Sequence, residues 1–418
     1  MRFLTISSLF PPDVIGGAEM CAYNQADWLR RKGHEVAVLT TAGTSEEELC
    51  GQVVDGIRIY RVHMPRPYPT IKFLQAPRWQ KPVWHLQDHL DPHNRQVAAR
   101  VLEMVRPDVV LVHLLPGIGY NALEEVGARD IPVVYFLHDL GLACVKMSMF
   151  RGGKTCAGQC MVCAATSYYK TSVLSRVRRL GFCSPSRANL DRVCELVPIG
   201  NRPRAAILNA NAYPRPTGAR SSSETVRLVY VGRLHATKGV DLLLASVGRA
   251  QKTIGGQHRF RITVVGNGPE EATLREKYGA APWCTFTGFV SQAEVANIMV
   301  DSDLLCVPSI WFENSPGVVI QALGLGLPAL ASDVGGLPEL VEVDRNGRLV
   351  PPGDVAAWQA ALEEIVCDPA RLGRWRAYAL ENTYRFDQDY LGNEILKFVH
   401  QVCGTSEVSH SAPGLTGA

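Results

Sequence analysis

Long apolar runs are missing from this 418-residue sequence, and so is any strong excess of charge of one sign. No stretch approaches the ~18 apolar residues of a transmembrane helix, which argues against a membrane-spanning protein. The net charge of +3 is spread along the chain, which argues against nucleic-acid binding. The apolar run at residues 2–10 stops at Pro11–Pro12 with no small-residue cleavage site, unlike a signal peptide. We therefore expect a cytoplasmic protein, free or peripheral at the inner membrane face.

Short apolar segments alternate with helical patterns through most of the chain. The strands predicted from them are RFLTISSLF, HEVAVLTT, IRIYRVH, DVVLVHLL and IPVVYFLHD, and then VRLVYVGRL, RITVVGNG, CTFTGFV, DLLCVPS and PALASDVGG. Strand, helix and strand joined by short connections predict parallel, doubly wound sheets. The Pro-, Ser- and Gly-rich segment 209–224 predicts a linker between two domains, the default number for this length.

Residues that directly follow predicted strands are the first candidates for a binding site, because open α/β sheets bind ligands at the carboxyl ends of their strands. Gly16 and Gly17 follow the first strand and open a helix, a pattern that suits either anion binding or a plain tight turn. Arg233 and Lys238 follow a strand that ends at Gly232. Two cations at that place suit a diphosphate, although solvated surface cations would give the same pattern.

A third candidate is the segment PSIWFENSPGVVIQ, residues 308–321. Glu313 follows a buried strand, and Pro316 and Gly317 open an apolar helix whose free amides suit phosphate. Glu313 could accept hydrogen bonds from sugar hydroxyls or simply cap the helix. Gln321 lies two turns further along that helix.

The ordered motifs GGAE, LHD, GRL with KG, ENSP with a later Gln, SDVGGLPELV and NGRLVPPGD resemble the family 4 retaining glycosyltransferases of the GT-B fold. The resemblance covers roughly residues 1–403 and is strongest over 226–354. It implies two doubly wound Rossmann-like domains facing across a cleft: 1–208 on the acceptor side, 225–385 for the nucleotide sugar, a returning helix at 386–403 and a disordered tail at 404–418. It also implies transfer of a sugar from a nucleotide sugar to a glycan, lipid-linked or small-molecule acceptor, without a metal at the diphosphate.

The resemblance gives roles to individual residues. Arg233 and Lys238 match the diphosphate-binding pair, and Glu313 matches the acid that contacts the donor sugar. Gln321 takes the place of a second acid that binds ribose, a departure that keeps a non-catalytic binding protein in view. His138 matches the histidine near the reacting sugar, whereas the role of His113 stays open. The catalytic candidates are His138, Glu313, Arg233 and Lys238, and the donor-binding candidates are Gly16, Gly17, Gly232, Arg233, Lys238, Gly266, Glu313, Asn314, Ser315, Pro316, Gly317 and Gln321.

Four of the twelve cysteines lie within twenty residues, at Cys144, Cys156, Cys160 and Cys163. A cytoplasmic setting disfavours disulfides, and four thiolates at this spacing can surround one ion. We expect a structural zinc ion or an iron–sulfur cluster here. Free thiols, or the cluster of a radical enzyme that uses S-adenosylmethionine, are the alternatives.

The segment KTSVLSRVRRL, residues 170–180, predicts a helix with a shared apolar face. Its apolar residues are Val173, Leu174, Val177 and Leu180, and arginines lie on its other faces. The family resemblance implies docking of such a helix on anionic lipid, whereas its pattern fits an ordinary surface helix as well.

Overall fold

The computed structural model describes residues 1–42, 50–73, 75–221, 223–254, 259–368 and 370–405. In that part of the chain, the first domain carries an eight-stranded sheet of order β10-β9-β6-β5-β1-β2-β4-β3, in which only β3 runs antiparallel to its neighbour. β7 and β8 form a separate hairpin. The strands are β1 (Arg2–Ile6), β2 (Glu35–Thr41), β3 (Cys50–Val54), β4 (Ile57–Val62), β5 (Val109–Val112), β6 (Val133–Phe136), β7 (Phe150–Arg151), β8 (Lys154–Thr155), β9 (Leu180–Ser184) and β10 (Arg204–Ala206).

The second domain carries a six-stranded sheet of order β13-β12-β11-β14-β15-β16, and every strand pair in it is parallel. β14 and β15 are buried at every position, as expected where helices cover both faces of a parallel sheet. The strands are β11 (Val226–Val231), β12 (Phe260–Val265), β13 (Cys284–Gly288), β14 (Leu304–Val307), β15 (Ala329–Ser332) and β16 (Gly347–Val350).

The helices connect these strands and cover both sheets. Several begin at side-chain caps: Ser186, Ser291, Asp354 and Asp387 each accept a hydrogen bond from a backbone amide of the first turn. The helices are α1 (Gly17–Arg31), α2 (Lys81–Leu90), α3 (Pro92–Val105), α4 (Ala122–Ala128), α5 (Met161–Ser175), α6 (Arg187–Leu196), α7 (Val240–Thr253), α8 (Glu271–Tyr278), α9 (Gln292–Val300), α10 (Gly317–Gly324), α11 (Leu337–Leu340), α12 (Val355–Cys367), α13 (Ala370–Glu381) and α14 (Gln388–Cys403). The predicted fold class, two doubly wound Rossmann-like domains, is confirmed.

The last helix, α14, packs against the first domain although it follows the second in sequence. Phe398 and Val402 join the buried cluster that contains Phe3 and Trp28. The Trp28 indole Nε1 donates to Asp389 Oδ1 at 2.7 Å. The chain therefore crosses between the domains twice, through the linker and again before α14. The predicted disordered tail, 404–418, lies outside the described residues from 406 onward.

The prediction of one apolar helical face along residues 170–180 is wrong. α5 ends at Ser175, and Leu180 already begins β9. Its apolar side chains, those of Val173, Leu174, Val177 and Leu180, lie in the core of the first domain. The segment divides because Leu180 already pairs with Val133 of β6 in the sheet, so the helix ends before it. None of the described helices has the length and apolar character to cross a bilayer.

Candidate active site

The side chain of Glu313 is buried in the loop that follows β14, and one of its oxygens is strongly held. Oε1 accepts hydrogen bonds from Lys238 Nζ at 2.5 Å, Ser309 Oγ at 2.6 Å and Trp311 Nε1 at 2.8 Å. Burial acts to raise the pKa of the carboxyl, but the Lys238 charge and the three donors outweigh it and the pKa lies below its ordinary value. Glu313 is therefore a carboxylate at neutral pH, and its Oε2 makes no hydrogen bond within the described residues.

Lys238 reaches Glu313 because the loops after β11 and β14 approach each other closely. Lys238 ends a short 3-10 turn, and Gly239 follows it with φ of 68°. A Cβ on Gly239 would lie 2.0 Å from the carbonyl oxygen of Pro308, so only glycine fits between the two loops. Ile310 N also donates to Thr237 O at 2.9 Å. These contacts fix the cation and the carboxylate relative to each other.

A pair of glycines, after the single Gly239, supports Glu313 from the loop after β15. Gly335 has φ of 61°, and a Cβ there would lie 2.0 Å from the carbonyl oxygen of Glu313. Gly336 N donates to that same oxygen at 2.8 Å, and a Cβ on Gly336 would lie 1.9 Å from Asn314 O. The motif SDVGG thus serves as a close-approach loop beneath the acidic segment.

Asn314 connects this loop to the first domain. Its Nδ2 donates to Leu137 O and His138 O, both at 2.9 Å, and its Oδ1 accepts from Ser186 Oγ at 2.5 Å. These polar atoms of Asn314, predicted to bind the donor, therefore face the other domain here. The contact brings His138 and Glu313 to the same part of the cleft.

Glu339 makes a further contact between the domains. Its carboxylate accepts from the backbone amides of Arg187 at 2.8 Å and Ala188 at 2.7 Å, at the start of α6. A negative charge is favoured at a helix N-terminus. Glu339 therefore helps to hold the second domain against the start of α6 in the first domain.

His138 belongs to a chain of polar side chains in the first domain. His113 Nδ1 lies 2.8 Å from His138 Nε2, and His113 Nε2 lies 2.6 Å from Gln25 Oε1. Gln25 and His113 are buried, whereas His138 is partly exposed. Burial lowers the pKa of His138 to about 4 and that of His113 well below its usual range, so both imidazoles are neutral at pH 7.

The remaining donor candidates lie at strand ends and helix starts. Arg233 is exposed, and its guanidinium makes no hydrogen bond or ion pair with any described residue. A Cβ on Gly266, which has φ of 123°, would lie 2.0 Å from Gly232 O, so these two loops also touch. Gly16 N donates to Glu19 Oε2 at 3.0 Å at the start of α1, next to Gly17.

Two polar atoms near α10 are buried without a hydrogen-bond partner among the described residues. They are Nε2 of Gln321 and Oγ of Ser315. Gly317 begins α10, where a Cβ would lie 2.9 Å from the Tyr213 hydroxyl. Because unpaired buried polar atoms are costly, they suit a ligand that supplies the missing partners.

Comparison with known proteins gives the family. Residues 225–368 match the family described as Glycosyl transferases group 1, and residues 16–193 match the Glycosyl transferase 4-like domain. Glycogen synthase of Mycobacterium tuberculosis is 27% identical over 400 residues, which cover 93% of this chain and 92% of the relative.

The chain belongs to the group 1 glycosyltransferases.

Solved structures agree with the fold of this glycosyltransferase. Sucrose-phosphate synthase from Thermosynechococcus elongatus matches with a TM-score of 0.71 at 18% identity, covering 97% of this chain and 100% of that one. HepE of Anabaena in complex with UDP and glucose matches with a TM-score of 0.65 at 18% identity, covering 96% and 100%. The glycosyltransferase therefore has the GT-B fold. Its family and its named relatives show that it is an enzyme of the glycosyltransferase class.

Sequence reasoning missed several residues around the site of the glycosyltransferase. Ser309 and Trp311 both donate to Glu313, and Gln25 ends the chain that leads to His138. Ser309 and Trp311 could have been suspected, because polar donors two and four residues before a buried acid are within its reach. Gln25 gave no such signal, since 88 residues separate it from His113.

The four clustered cysteines of the glycosyltransferase, among twelve in the sequence, lie on a segment that we call the cysteine loop, residues 139–163. Cys144 Sγ and Cys163 Sγ are 3.8 Å apart. None of the four forms a disulfide. Among the described residues, no group of three or more His, Cys, Asp or Glu side chains is placed to hold a metal ion. Metal binding at this loop therefore stays a prediction.

The first prediction concerns the support beneath Glu313. Gly335→Ala should push the Glu313 segment away from Lys238 and lower activity by about 10- to 100-fold, because small displacements of positioning groups are costly. Gly353→Ala is the matched control: Gly353 has φ of 80°, but nothing lies within 4 Å of its added Cβ. Both variants carry a left-handed cost of about 1 kcal/mol, so equal activity in the two would contradict the role of Gly335.

The second prediction concerns the cysteine loop. Thiolates on one tetrahedral zinc, with Zn–S near 2.3 Å, are roughly 3.8 Å apart, close to the observed Cys144–Cys163 separation. Elemental analysis should find about one zinc, or a few iron atoms, per chain in wild-type protein and none in Cys160→Ser/Cys163→Ser. Cys367→Ser, on an exposed cysteine outside the loop, should keep the metal. Metal-free wild-type protein with four titratable loop thiols would refute the prediction.

Proposed function

We propose that this glycosyltransferase moves a sugar from a nucleoside diphosphate sugar to a hydroxyl of a glycan acceptor, free or lipid-linked, with net retention of configuration. The observation that carries the proposal is the buried Glu313 carboxylate, which is hydrogen-bonded to Lys238. Arg233 lies five residues before Lys238, and its charge is not paired with any described residue. The similarity to a glycogen synthase and to HepE, which was solved with UDP and glucose, favours the same class of donor.

The two cations suit the diphosphate of the donor. The Lys238 ammonium has three N–H donors and uses one of them on Glu313, so two remain for phosphate oxygens. The Arg233 guanidinium is unpaired within the described residues and can bind phosphate in a bidentate manner. Amides at the start of α10, after Pro316, add fixed partial positive charge. Together these groups would take the place of a divalent ion at the diphosphate.

The sugar would lie between Glu313 and His138. Oε1 of Glu313 is already saturated by three donors, which leaves Oε2 to accept hydrogen bonds from sugar hydroxyls. His138 is partly exposed and comes from the opposite domain, with its carbonyl held by Asn314. A ring placed here would be contacted from both domains, which excludes water and fixes its orientation.

The anomeric configuration is retained if the acceptor attacks the anomeric carbon on the same face from which the diphosphate leaves. The acceptor oxygen bonds to the anomeric carbon, the bond from that carbon to the diphosphate oxygen breaks, and the acceptor proton passes to the departing phosphate. Lys238 and Arg233 would stabilise the charge that develops on the diphosphate. No side chain of this chain needs to form a covalent intermediate.

Gln321 would hold the ribose of the nucleotide. Its Nε2 is buried and unpartnered among the described residues, so a ribose oxygen can supply the missing acceptor. A glutamate at this position could only accept hydrogen bonds, whereas the amide both donates and accepts. The substitution of Gln for an acid is thus compatible with donor binding.

The third prediction tests the cations. Arg233→Ala and Lys238→Ala should each weaken UDP binding by about 10- to 150-fold, since a charge-assisted hydrogen bond contributes about 1.5–3 kcal/mol. Isothermal titration calorimetry with UDP gives the affinities. Lys277→Ala is the control, because Lys277 pairs with Asp241 on the exposed surface. Unchanged affinity in both cation variants would remove the diphosphate assignment.

The fourth prediction tests the reaction. With an α-linked donor such as UDP-glucose or another UDP-sugar identified by thermal-shift screening, proton NMR of the product should show an α-linkage. A β-linked product would refute retention while leaving glycosyl transfer intact. Donor binding without transfer or hydrolysis in any acceptor screen would instead favour a binding protein.

A further inference from the structure

His138 is not an isolated side chain but the end of a buried hydrogen-bonded chain. Gln25 lies on α1, His113 follows β5 and His138 follows β6, so three separate elements contribute one residue each. The two hydrogen-bond distances along this chain are 2.6 Å and 2.8 Å. At such distances each contact must have one donor and one acceptor.

Neutral imidazoles make this chain directional. A neutral histidine has one N–H and one lone pair, so a hydrogen bond at one nitrogen decides the role of the other. The structure places the carbonyl oxygen of Gln25 toward His113 Nε2, an arrangement in which His113 Nε2 donates. His113 Nδ1 is then the acceptor, and His138 Nε2 must carry the proton. The remaining nitrogen of His138, Nδ1, is left with its lone pair.

Neither histidine is expected to charge at neutral pH. Burial lowers the pKa of both, and for His113 the neighbouring His138 lowers it further. The hydrogen-bonded series Gln25–His113–His138 therefore contains no imidazolium at neutral pH. Its effect is to fix the orientation and the tautomer of His138.

Other contacts restrain the two rings. Phe136 stacks on His113 with ring centroids 4.5 Å apart, and its ring lies 6.0 Å from that of His138. The main chain of His138 is held by Asn314 at 2.9 Å. His138 Nδ1 makes no hydrogen bond with any described residue, and the side chain is partly exposed. This nitrogen is thus the free end of the chain at the cleft.

We propose that Gln25 and His113 are positioning residues that hold His138 in its Nε2-protonated tautomer, so that Nδ1 accepts a hydrogen bond from a hydroxyl of the bound sugar. The inference rests on the proposed function for the identity of that sugar. It makes His138 a hydrogen-bond acceptor in the reaction and excludes it as a general acid. A site that accepts from a hydroxyl discriminates strongly against sugars that lack it.

The fifth prediction concerns the tautomer of His138, which can be measured without substrate. In ¹⁵N-histidine-labelled protein at pH 7, long-range ¹H–¹⁵N spectra should show His138 protonated at Nε2, with its signals assigned by loss in His138→Ala. Gln25→Leu should give a mixture of tautomers or reverse the preference. Gln25→Glu, which keeps an oxygen acceptor toward His113, should retain the wild-type tautomer. Wild-type His138 protonated at Nδ1 would overturn the inference even if glycosyl transfer is confirmed.

Kinetics separate positioning from simple folding effects. Gln25→Leu should lower kcat by about 2- to 10-fold, the loss of one neutral hydrogen bond. It should leave UDP affinity unchanged, because UDP lacks the transferred sugar that His138 would contact. In a His138→Ala background the same substitution should have no further effect. An additive loss in that background, or an unchanged tautomer and kcat in Gln25→Leu, would show that Gln25 is merely structural.

Discussion

A buried carboxylate must be compensated by a cation and by hydrogen-bond donors. Glu313 is such a carboxylate, and the loops around it are arranged to bring these groups close. Lys238, Ser309 and Trp311 all converge on one of its oxygens. This concentration on Oε1 has a consequence for function, because it leaves the second oxygen for a ligand. The ion pair is therefore both a structural contact and the centre of the proposed donor site.

Glycines allow the compensating groups to come close enough. Gly239 lets the loop after β11, which carries Lys238, pass the carbonyl of Pro308. Gly335 and Gly336 let the loop after β15 pass beneath Glu313 and Asn314. Each approach would place an added Cβ about 2 Å from a backbone oxygen. Three loops from neighbouring parallel strands are thus packed backbone to backbone, and the acid cannot shift without moving all of them.

The site is also shared between the domains, and this determines what each half contributes. Asn314 and Glu339 reach from the second domain to the backbone of the first, next to His138 and α6. α14 returns to the first domain and packs on Trp28. In the proposed function the second domain would supply charge for a diphosphate. The first would supply a neutral histidine, His138, which is hydrogen-bonded to the buried His113.

The sequence by itself determined the two doubly wound domains and the family, because strand periodicity and short motifs after strands are local properties of the chain. It also located Glu313, Lys238 and His138. Only the tertiary structure decided that Asn314 faces the other domain, that residues 170–180 divide between a helix and a strand, and that Gln25 is linked to His138 through His113. These depend on contacts between segments far apart in the chain, for which no local pattern exists: 176 residues separate Asn314 from the His138 carbonyl, and 88 separate Gln25 from His113.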